Sequence, residues 1–346
     1  MNLDLHIGTP KTGTTSIQKF LENNKNALSK QGILYPSTLR LFPNSSNHRI
    51  FSWIGIDKVR FKKELIIYKK HNKNFFGEDS NIISLELKKF EEELKLSKKN
   101  KCIISSEHIT SYGLNNVEKF KKITDKFFNK TRIIVYIRNP IDRIFSGLNT
   151  KIRCGKAFEK IKYPPLINKK LIKEWSEIYG EENIVVRLFN KNDLIENDLI
   201  ADFCAQTKIS LNNNFVYPNK ENESLNFYQL KYLNYINSKV PRFVDNKINP
   251  NSVNVALFVK NNFQSPVRYL PTKEEYHDVE NKSFEENEWI RRKYFPDKSY
   301  LWSKYEKGFR KNKNELFDFS EEELILLKAI VLLFNNDCIK SGKLKN

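Results

Sequence analysis

The first stretch of the chain with recognisable chemistry is G-T-P-K-T-G-T-T, residues 8–15, which combines two glycines, a lysine and several hydroxyl side chains. It follows an alternating apolar segment at residues 3–7 and precedes a segment with one apolar face at residues 14–30. This pattern predicts a strand, a loop and a helix. A loop at such a junction directs backbone amides and the positive end of the helix dipole toward an anion. The sequence therefore predicts a phosphate-binding loop.

The position of the lysine separates two kinds of phosphate chemistry. In the Walker A loop of nucleoside triphosphatases a lysine directly follows the second glycine. Here Thr14 takes that place, and the lysine of the loop is Lys11. The glycine spacing keeps a P-loop kinase or nucleoside triphosphatase as one alternative. A non-catalytic protein that binds nucleotides or polyanions is another.

The segment PKTGTTSIQ, residues 10–18, resembles the 5′-phosphosulfate-binding loop of sulfotransferases that use 3′-phosphoadenosine 5′-phosphosulfate (PAPS), whose usual form is PKSGTTW. Without that tryptophan, the loop is more similar to the bacterial and carbohydrate-type branches of the family. The resemblance implies that Lys11 stabilises the leaving oxygen between phosphorus and sulfur, and that no metal is required. The cofactor-binding residues that it implies are Pro10, Lys11, Thr12, Gly13, Thr14, Thr15 and Ser16.

A second segment, YIRNPIDRIFSG at residues 136–147, is similar to the 3′-phosphate site of the same family. The resemblance implies that Arg138 and Ser146 bind the 3′-phosphate, for which a guanidinium and a hydroxyl are suited. Arg187 lies at the carboxyl end of a predicted strand, where open α/β sheets bind ligands. By analogy with family members, Phe189 is expected to lie against the adenine.

The reaction of this family needs a base that takes the proton of the acceptor hydroxyl. The segment IISSEHIT, residues 103–110, places Glu107 and His108 at the carboxyl end of a predicted strand, the edge that also carries Lys11. Because consecutive strand residues point to opposite faces, we expect only one of the two to face the acceptor. Carbohydrate sulfotransferases commonly use glutamate and small-molecule ones histidine. We therefore favour Glu107 as the catalytic base and keep His108 as the alternative.

The elements around these residues predict an α/β fold, with a P-loop-like parallel β-sheet flanked by helices and a mostly helical C-terminal region. Residues 1–215 are expected to form the PAPS-binding core, and residues 216–346 a helical region of the same domain that completes the acceptor site. The remaining predicted segments are strands at 102–106, 132–137 and 183–188, helices at 225–236, 285–294 and 321–334, a helical insertion at about 58–101, and long loops near Pro164 and at 241–271 that suit an acceptor lid.

The composition of the chain says less about its binding partners than the motifs do. The 60 Lys and Arg residues against 41 Asp and Glu give a formal charge of +19, which favours polyanions, although a Lys-rich composition throughout the chain explains the charge equally well. Four scattered cysteines indicate neither a zinc site nor a disulfide framework. We expect a cytoplasmic protein without a metal site that contacts anionic membranes peripherally. Its expected partner is a hydroxyl-bearing glycan and not nucleic acid, and no oligomeric state is indicated.

Overall fold

The computed structural model describes residues 1–42, 44–71, 81–159, 166–219, 224–245, 247–312 and 314–335. Within them, a parallel sheet of five strands has the order β2-β3-β1-β4-β5. The strands are β1 (Asn2–His6), β2 (Ile33–Leu34), β3 (Lys101–Ser105), β4 (Lys130–Ile137) and β5 (Ile184–Leu188). The helices are α1 (Thr14–Asn23), α2 (Lys25–Lys30), α3 (Lys58–His71), α4 (Ile82–Ser97), α5 (Leu114–Thr124), α6 (Pro140–Arg153), α7 (Asn168–Tyr179), α8 (Leu199–Thr207), α9 (Phe227–Lys239), α10 (Val255–Asn262), α11 (Lys273–Tyr294) and α12 (Glu321–Asn335). The predicted α/β class, with a parallel sheet flanked by helices and a helical C-terminal region, is confirmed.

The described residues form two compact units. The first consists of residues 1–139, 167–221 and 289–296 and contains the parallel sheet. The second consists of residues 140–166, 222–288 and 297–346, and it is largely helical. It takes in residues 140–166, which the sequence-based division places with the 1–215 core.

The core of the first unit is built around β1, the central strand of the sheet. Leu3 and Leu5 are buried there, and β4 contributes a run of buried apolar residues from Ile133 to Ile137. Strands buried on both faces carry such continuous apolar runs because helices cover both sides of a parallel sheet. The apolar face of α1, which includes Ile17 and Phe20, packs in one cluster with Ile134 and Tyr136 of β4. This packing fixes the start of α1, and therefore the loop before it, relative to the sheet.

The predicted helix over residues 14–30 is wrong at its centre, where Asn24 separates α1 from α2. The Asn24 carboxamide donates to the carbonyls of Phe20 at 2.7 Å and Val216 at 2.9 Å, and it accepts from the Val216 amide at 2.8 Å. A buried carboxamide with these partners favours a break in the helix. The predicted core strands are present, with ends shifted by one or two residues, whereas β2 was not predicted.

Helices of the second unit begin at capping boxes that the sequence analysis missed. Asn226 and Gln229 cap α9, which runs two residues later at its start and three later at its end than predicted. Thr272 and Glu275 form the same reciprocal pair before α11 at 2.8 and 3.1 Å, so that helix starts twelve residues before the predicted one. The region predicted as a loop at 241–271 contains a short antiparallel hairpin, β6 (Phe243–Val244) with β7 (Lys247–Ile248), followed by α10.

The predicted helical insertion corresponds to α3 and α4, while residues 72–80 between them and the loop near Pro164 lie outside the described residues. α4 buries Ile82 and Phe90 and leaves much of its surface exposed. Among the helices that the structure describes, none combines the length and the apolar character needed to cross a bilayer.

Candidate active site

The loop between β1 and α1 has the backbone shape of an anion-binding turn. Lys11 and Gly13 both adopt left-handed conformations, with φ of 71° and 75°. Left-handed residues within a turn bring successive amides toward a common point and so form a concave anion site. At the end of the loop α1 begins with Thr14, and the amides of Thr14 and Thr15 precede the first bonds of the helix, which Ser16 and Ile17 donate to the Gly13 carbonyl. Backbone donors from the loop and from the helix therefore converge here.

Two buried threonine hydroxyls hold this loop in place. Thr9 donates to the Tyr136 carbonyl on β4 at 2.7 Å, and Thr12 donates to the Thr9 carbonyl at 2.7 Å. Both side chains are fully buried. The Thr12 hydroxyl, predicted to contact the cofactor, thus directs its proton into the loop, and we expect only the Thr12 amide to face a ligand. Thr9 was not singled out from the sequence.

The glycines allow close approach of neighbouring groups. A Cβ on Gly8 would lie 2.1 Å from the Thr14 methyl carbon, and one on Gly13 would lie 2.3 Å from Leu199 Cδ2 and 3.1 Å from Phe189 Cε2. Larger residues would displace the loop at either position. The contact at Gly13 also shows that the Phe189 ring stands beside the loop.

The outer rim of the loop consists of predicted cofactor-binding residues. Pro10, Thr15 and Ser16 are exposed, and Lys11 is half-buried. The Ser16 amide donates to the Gly13 carbonyl at 2.9 Å, which tightens the first turn of α1. Hydroxyls and a cation at the rim can complement the backbone donors of the loop.

Arg138, the first residue after β4, is brought directly to the loop. Its Nη1 donates to the Lys11 carbonyl at 2.9 Å, and its guanidinium lies 5.4 Å from the centre of the Phe189 ring. The Phe189 amide donates to the Ile137 carbonyl at 2.7 Å, which ties the ends of β4 and β5 together. The structure therefore assembles Lys11, Arg138 and Phe189 at one edge of the sheet. Ser146, the predicted companion of Arg138, lies half-buried on α6 in the second unit, and its role stays a prediction.

Glu107 also lies at this edge, directly beside the loop. The Ser106 amide donates to the His6 carbonyl at 3.0 Å, so the chain leaving β3 follows the end of β1. The Thr14 hydroxyl then donates to Glu107 Oε2 at 3.3 Å, and the Glu107 side chain is 41% exposed. A solvent-accessible carboxylate thus stands at the start of the helix that follows the phosphate loop.

His108 lies close to Glu107 instead of facing away from it. The two residues open a 3₁₀ turn, Glu107–Ser111, because β3 has already ended at Ser105. The alternation expected of a strand does not apply, and His108 Nε2 comes to 4.0 Å from Glu107 Oε1. Burial, aided by the positive charge of Arg49, holds the pKa of His108 below its ordinary value. Its imidazole is therefore uncharged at neutral pH.

Arg187 lies near the carboxyl end of β5, as predicted, and its role in cofactor binding stays a prediction. Its guanidinium forms an ion pair with the fully buried Asp202, which also accepts the Tyr136 hydroxyl at 2.6 Å. The Arg187 Nε–Asp202 Oδ1 distance is 3.1 Å, and Nη2 contacts Oδ2 and the Asp193 carbonyl. This pairing compensates the charge of Arg187 inside the fold, so the arginine serves as a tie between β5 and α8.

In the part of the chain that the structure describes, no group of three or more His, Cys, Asp or Glu side chains is arranged to hold a metal ion. The residues that could serve a ligand at this edge are amides, hydroxyls, Lys11 and Arg138, which together form a donor set for oxyanions.

The fold and this edge define an α/β protein with a phosphate-type loop and an adjacent carboxylate. No family model matches the chain. A protein from Archaeoglobus fulgidus described as uncharacterized is similar, with 23% identity over 221 residues that cover 62% of this chain and 59% of that protein, less than two thirds of its length. Among solved structures, a sulfotransferase from Alicyclobacillus acidocaldarius is similar at a TM-score of 0.37 and 17% identity, over 68% of this chain and 91% of the other.

Proposed function

We propose that the chain is a sulfotransferase that moves a sulfuryl group from PAPS to an acceptor hydroxyl. The observation that carries this proposal is the hydrogen bond from Thr14 to Glu107, at 3.3 Å, which joins the phosphate-type loop to a carboxylate able to act as a base. A loop that only bound anions would gain nothing from a carboxylate at its rim, since like charges repel. A transferase needs both groups at the same place.

The donors at this edge fit the groups of PAPS. The 5′-phosphate would be held by the amides of the loop and by the exposed hydroxyls of Thr15 and Ser16. Phe189 offers an aromatic surface next to Gly13, which suits an adenine ring. Arg138 would hold the 3′-phosphate with Ser146. Because its Nη1 already donates to the Lys11 carbonyl, Arg138 would join the two phosphate sites.

The chemistry of the transfer assigns separate tasks to Glu107 and Lys11. Glu107 takes the proton of the acceptor hydroxyl as that oxygen forms its bond to sulfur. Lys11 compensates the negative charge on the phosphate oxygen whose bond to sulfur breaks. The products are a sulfate ester and 3′,5′-adenosine bisphosphate. Metal ions have no part in this scheme because Lys11 provides the positive charge.

His108 supports the assignment of Glu107 through its charge state. An imidazolium at 4.0 Å would compensate the carboxylate and make it a weaker base. Burial and Arg49 hold the pKa of His108 below its ordinary value, so the ring stays neutral near pH 7 and leaves the negative charge of Glu107 in place.

We further propose that the acceptor is a glycan, since a glutamate base and a carbohydrate-type loop occur together in this chain. Its formal charge of +19 supports acidic glycans and a peripheral contact with anionic membranes. Transfer of ³⁵S from labelled PAPS to neutral and acidic oligosaccharides would rank these acceptors.

Thermal stability with candidate nucleotides tests the proposal. We expect PAPS and 3′,5′-adenosine bisphosphate to raise the melting temperature to the same extent with and without magnesium. Stabilisation by ATP only, and only with magnesium, would contradict the proposal in favour of a P-loop kinase. Binding of the bisphosphate without sulfuryl transfer to any hydroxyl acceptor would instead favour a non-catalytic nucleotide-binding protein.

A further inference from the structure

A basic cavity of about 370 Å³ lies at the amino-terminal edge of the parallel sheet, the edge opposite the phosphate loop. Its lining includes Asp4, Asn100, Lys101, Lys130, Arg132 and Lys208. Four cationic side chains and a single carboxylate give this lining a formal charge of +3. None of these residues belongs to a motif that is recognisable in the sequence.

The floor of the basic cavity is a rigid charged cluster. The Asp4 side chain is only 4% exposed, and it accepts from Arg132 Nε at 2.8 Å, from Arg132 Nη2 at 3.0 Å and from Lys101 Nζ at 2.8 Å. Arg132 also donates to the Gln206 carbonyl at 2.8 Å, and Lys101 donates to the Thr207 carbonyl. One buried carboxylate and the end of α8 therefore fix two cations side by side.

These contacts leave positive charge and donors unused at the cavity. A guanidinium has five N–H groups and an ammonium three, more than Asp4 and the two carbonyls accept. The side chains of Arg132 and Lys101 are 28% and 21% exposed, so part of each faces solvent. Asp4 compensates one of the two charges, and the floor keeps a net positive charge.

The rim adds two further cations, Lys130 at the start of β4 and Lys208 directly after α8. Both are exposed, and neither contacts an acidic side chain among the residues that the structure describes. Lys208 has a left-handed backbone with φ of 53°, and its amide donates to the Ala205 carbonyl at 3.2 Å. The backbone under this lysine is thus fixed, whereas its ammonium can turn toward a ligand.

We propose that the basic cavity binds a tetrahedral oxyanion, a phosphate or sulfate group, that is either a free ion or an ester on a polyanionic chain. A fixed guanidinium and ammonium at the floor, with two exposed ammoniums at the rim, match a compact anion with several acceptor oxygens. β1 separates this cavity from the phosphate loop by about 13 Å, which is too far for one phosphate group to reach both. The proposal rests on other residues than the proposed transferase site and stands independently of it.

Counting bound anions tests the proposal in solution. Equilibrium dialysis with ³⁵S-sulfate would compare the unmodified chain with the variant K130E/K208E. We expect the variant to lose one sulfate site, or to bind there with a dissociation constant at least roughly tenfold higher, because two attractive charges become repulsive. The phosphate loop is left intact, and its own sulfate binding should persist in the variant.

The matched control is K119E/K304E, which changes the net charge equally at exposed lysines outside the cavity. Equal losses in both variants, or no loss in either, would overturn the proposal. Circular dichroism verifies folding, and the neutral variant K130M/K208M replaces K130E/K208E if the latter does not fold.

Selenate soaked into crystals should give anomalous density within hydrogen-bond distance of Lys130 or Lys208. Density only at the phosphate loop would also refute the site.

A second ligand distinguishes the two sources of the anion, a free ion or an ester group. A heparin-derived hexasaccharide that binds roughly tenfold more weakly to K130E/K208E than to K119E/K304E supports the site as one for ester groups of a polyanionic chain. Equal hexasaccharide affinity for both variants, together with the loss of the inorganic sulfate site, supports it as one for a free ion.

Discussion

The two edges of the parallel sheet hold positive charge in different ways. At the carboxyl edge, backbone amides and Lys11 belong to a loop whose shape is fixed by buried hydroxyls and by Arg138. At the amino edge, four cationic side chains surround one buried carboxylate. The first edge concentrates donors at one point beside the carboxylate of Glu107, which fits the proposed transfer. The second offers more charge with less fixed geometry, which suits binding alone.

The largest effect that this comparison predicts is that of Lys11→Ala. Loss of the only loop ammonium leaves the departing phosphate oxygen uncompensated, and we expect kcat to fall by roughly a thousandfold. Initial rates of ³⁵S transfer measure the effect, with Lys19→Ala on α1 as the control. A fall in kcat of less than about threefold would remove Lys11 from the chemistry and leave the carboxyl edge as a binding site.

Glu107→Gln keeps the size of the side chain and one acceptor oxygen for Thr14, and it removes the base. We expect kcat to fall by roughly a hundredfold or more, with the dissociation constant of 3′,5′-adenosine bisphosphate changed less than about twofold. Turnover kinetics and calorimetry measure the two quantities. Normal turnover would transfer the role to His108, which His108→Asn would then test.

The variant Asp4→Asn tests the buried charged cluster at the amino edge through the free energy of unfolding. The buried carboxylate compensates Arg132 and Lys101, so its loss leaves two cations close together in a partly buried place. We expect the free energy of unfolding to fall by about 3 kcal/mol, as for other buried ion pairs that lose one partner. Urea unfolding measures this, and Asp125→Asn on the exposed surface should cost less than about 1 kcal/mol. An equal loss of unfolding free energy at both positions would show that the buried cluster stabilises the fold no more than an exposed carboxylate does.

The smallest expected effect is that of removing the Thr14 hydroxyl while the shape of the side chain is kept. Thr14→Val keeps the branched side chain that contacts Gly8 and removes the hydrogen bond to Glu107. We expect kcat to fall by roughly tenfold with KM for PAPS nearly unchanged, and Thr14→Ser to recover most of the loss. If Thr14→Val raises KM and leaves kcat unchanged, the hydroxyl serves phosphate binding and does not position the base.

Local patterns in the sequence predicted the loop, the core strands and the carboxylate at the end of β3. Each of these depends on neighbouring residues, such as glycine spacing or an apolar run, and so is visible without the fold. The break at Asn24 was missed because its partner Val216 is 192 residues away. Arg187 was placed at the correct edge, but its ion pair with Asp202 depends on how α8 packs, which periodicity alone does not reveal.

The amino-edge cavity was missed for a related reason. Asp4, Lys101 and Arg132 belong to three different strands, and only the parallel register brings them together, with Asp4 beside Arg132 and Ile103. A buried acid within an apolar strand is a signal that the sequence did contain. The partners of Asp4 depend on which strands lie beside β1, and no local segment of the sequence reveals that strand order.

The position of β1 between β3 and β4 also determines when the phosphate loop can form during synthesis. β1 pairs with residues 101–105 and 130–134, and the loop is held by Tyr136 and Arg138. A nascent chain that has emerged only as far as residue 100 lacks every one of these partners. The contacts that fix the loop therefore become available only after β4 has emerged.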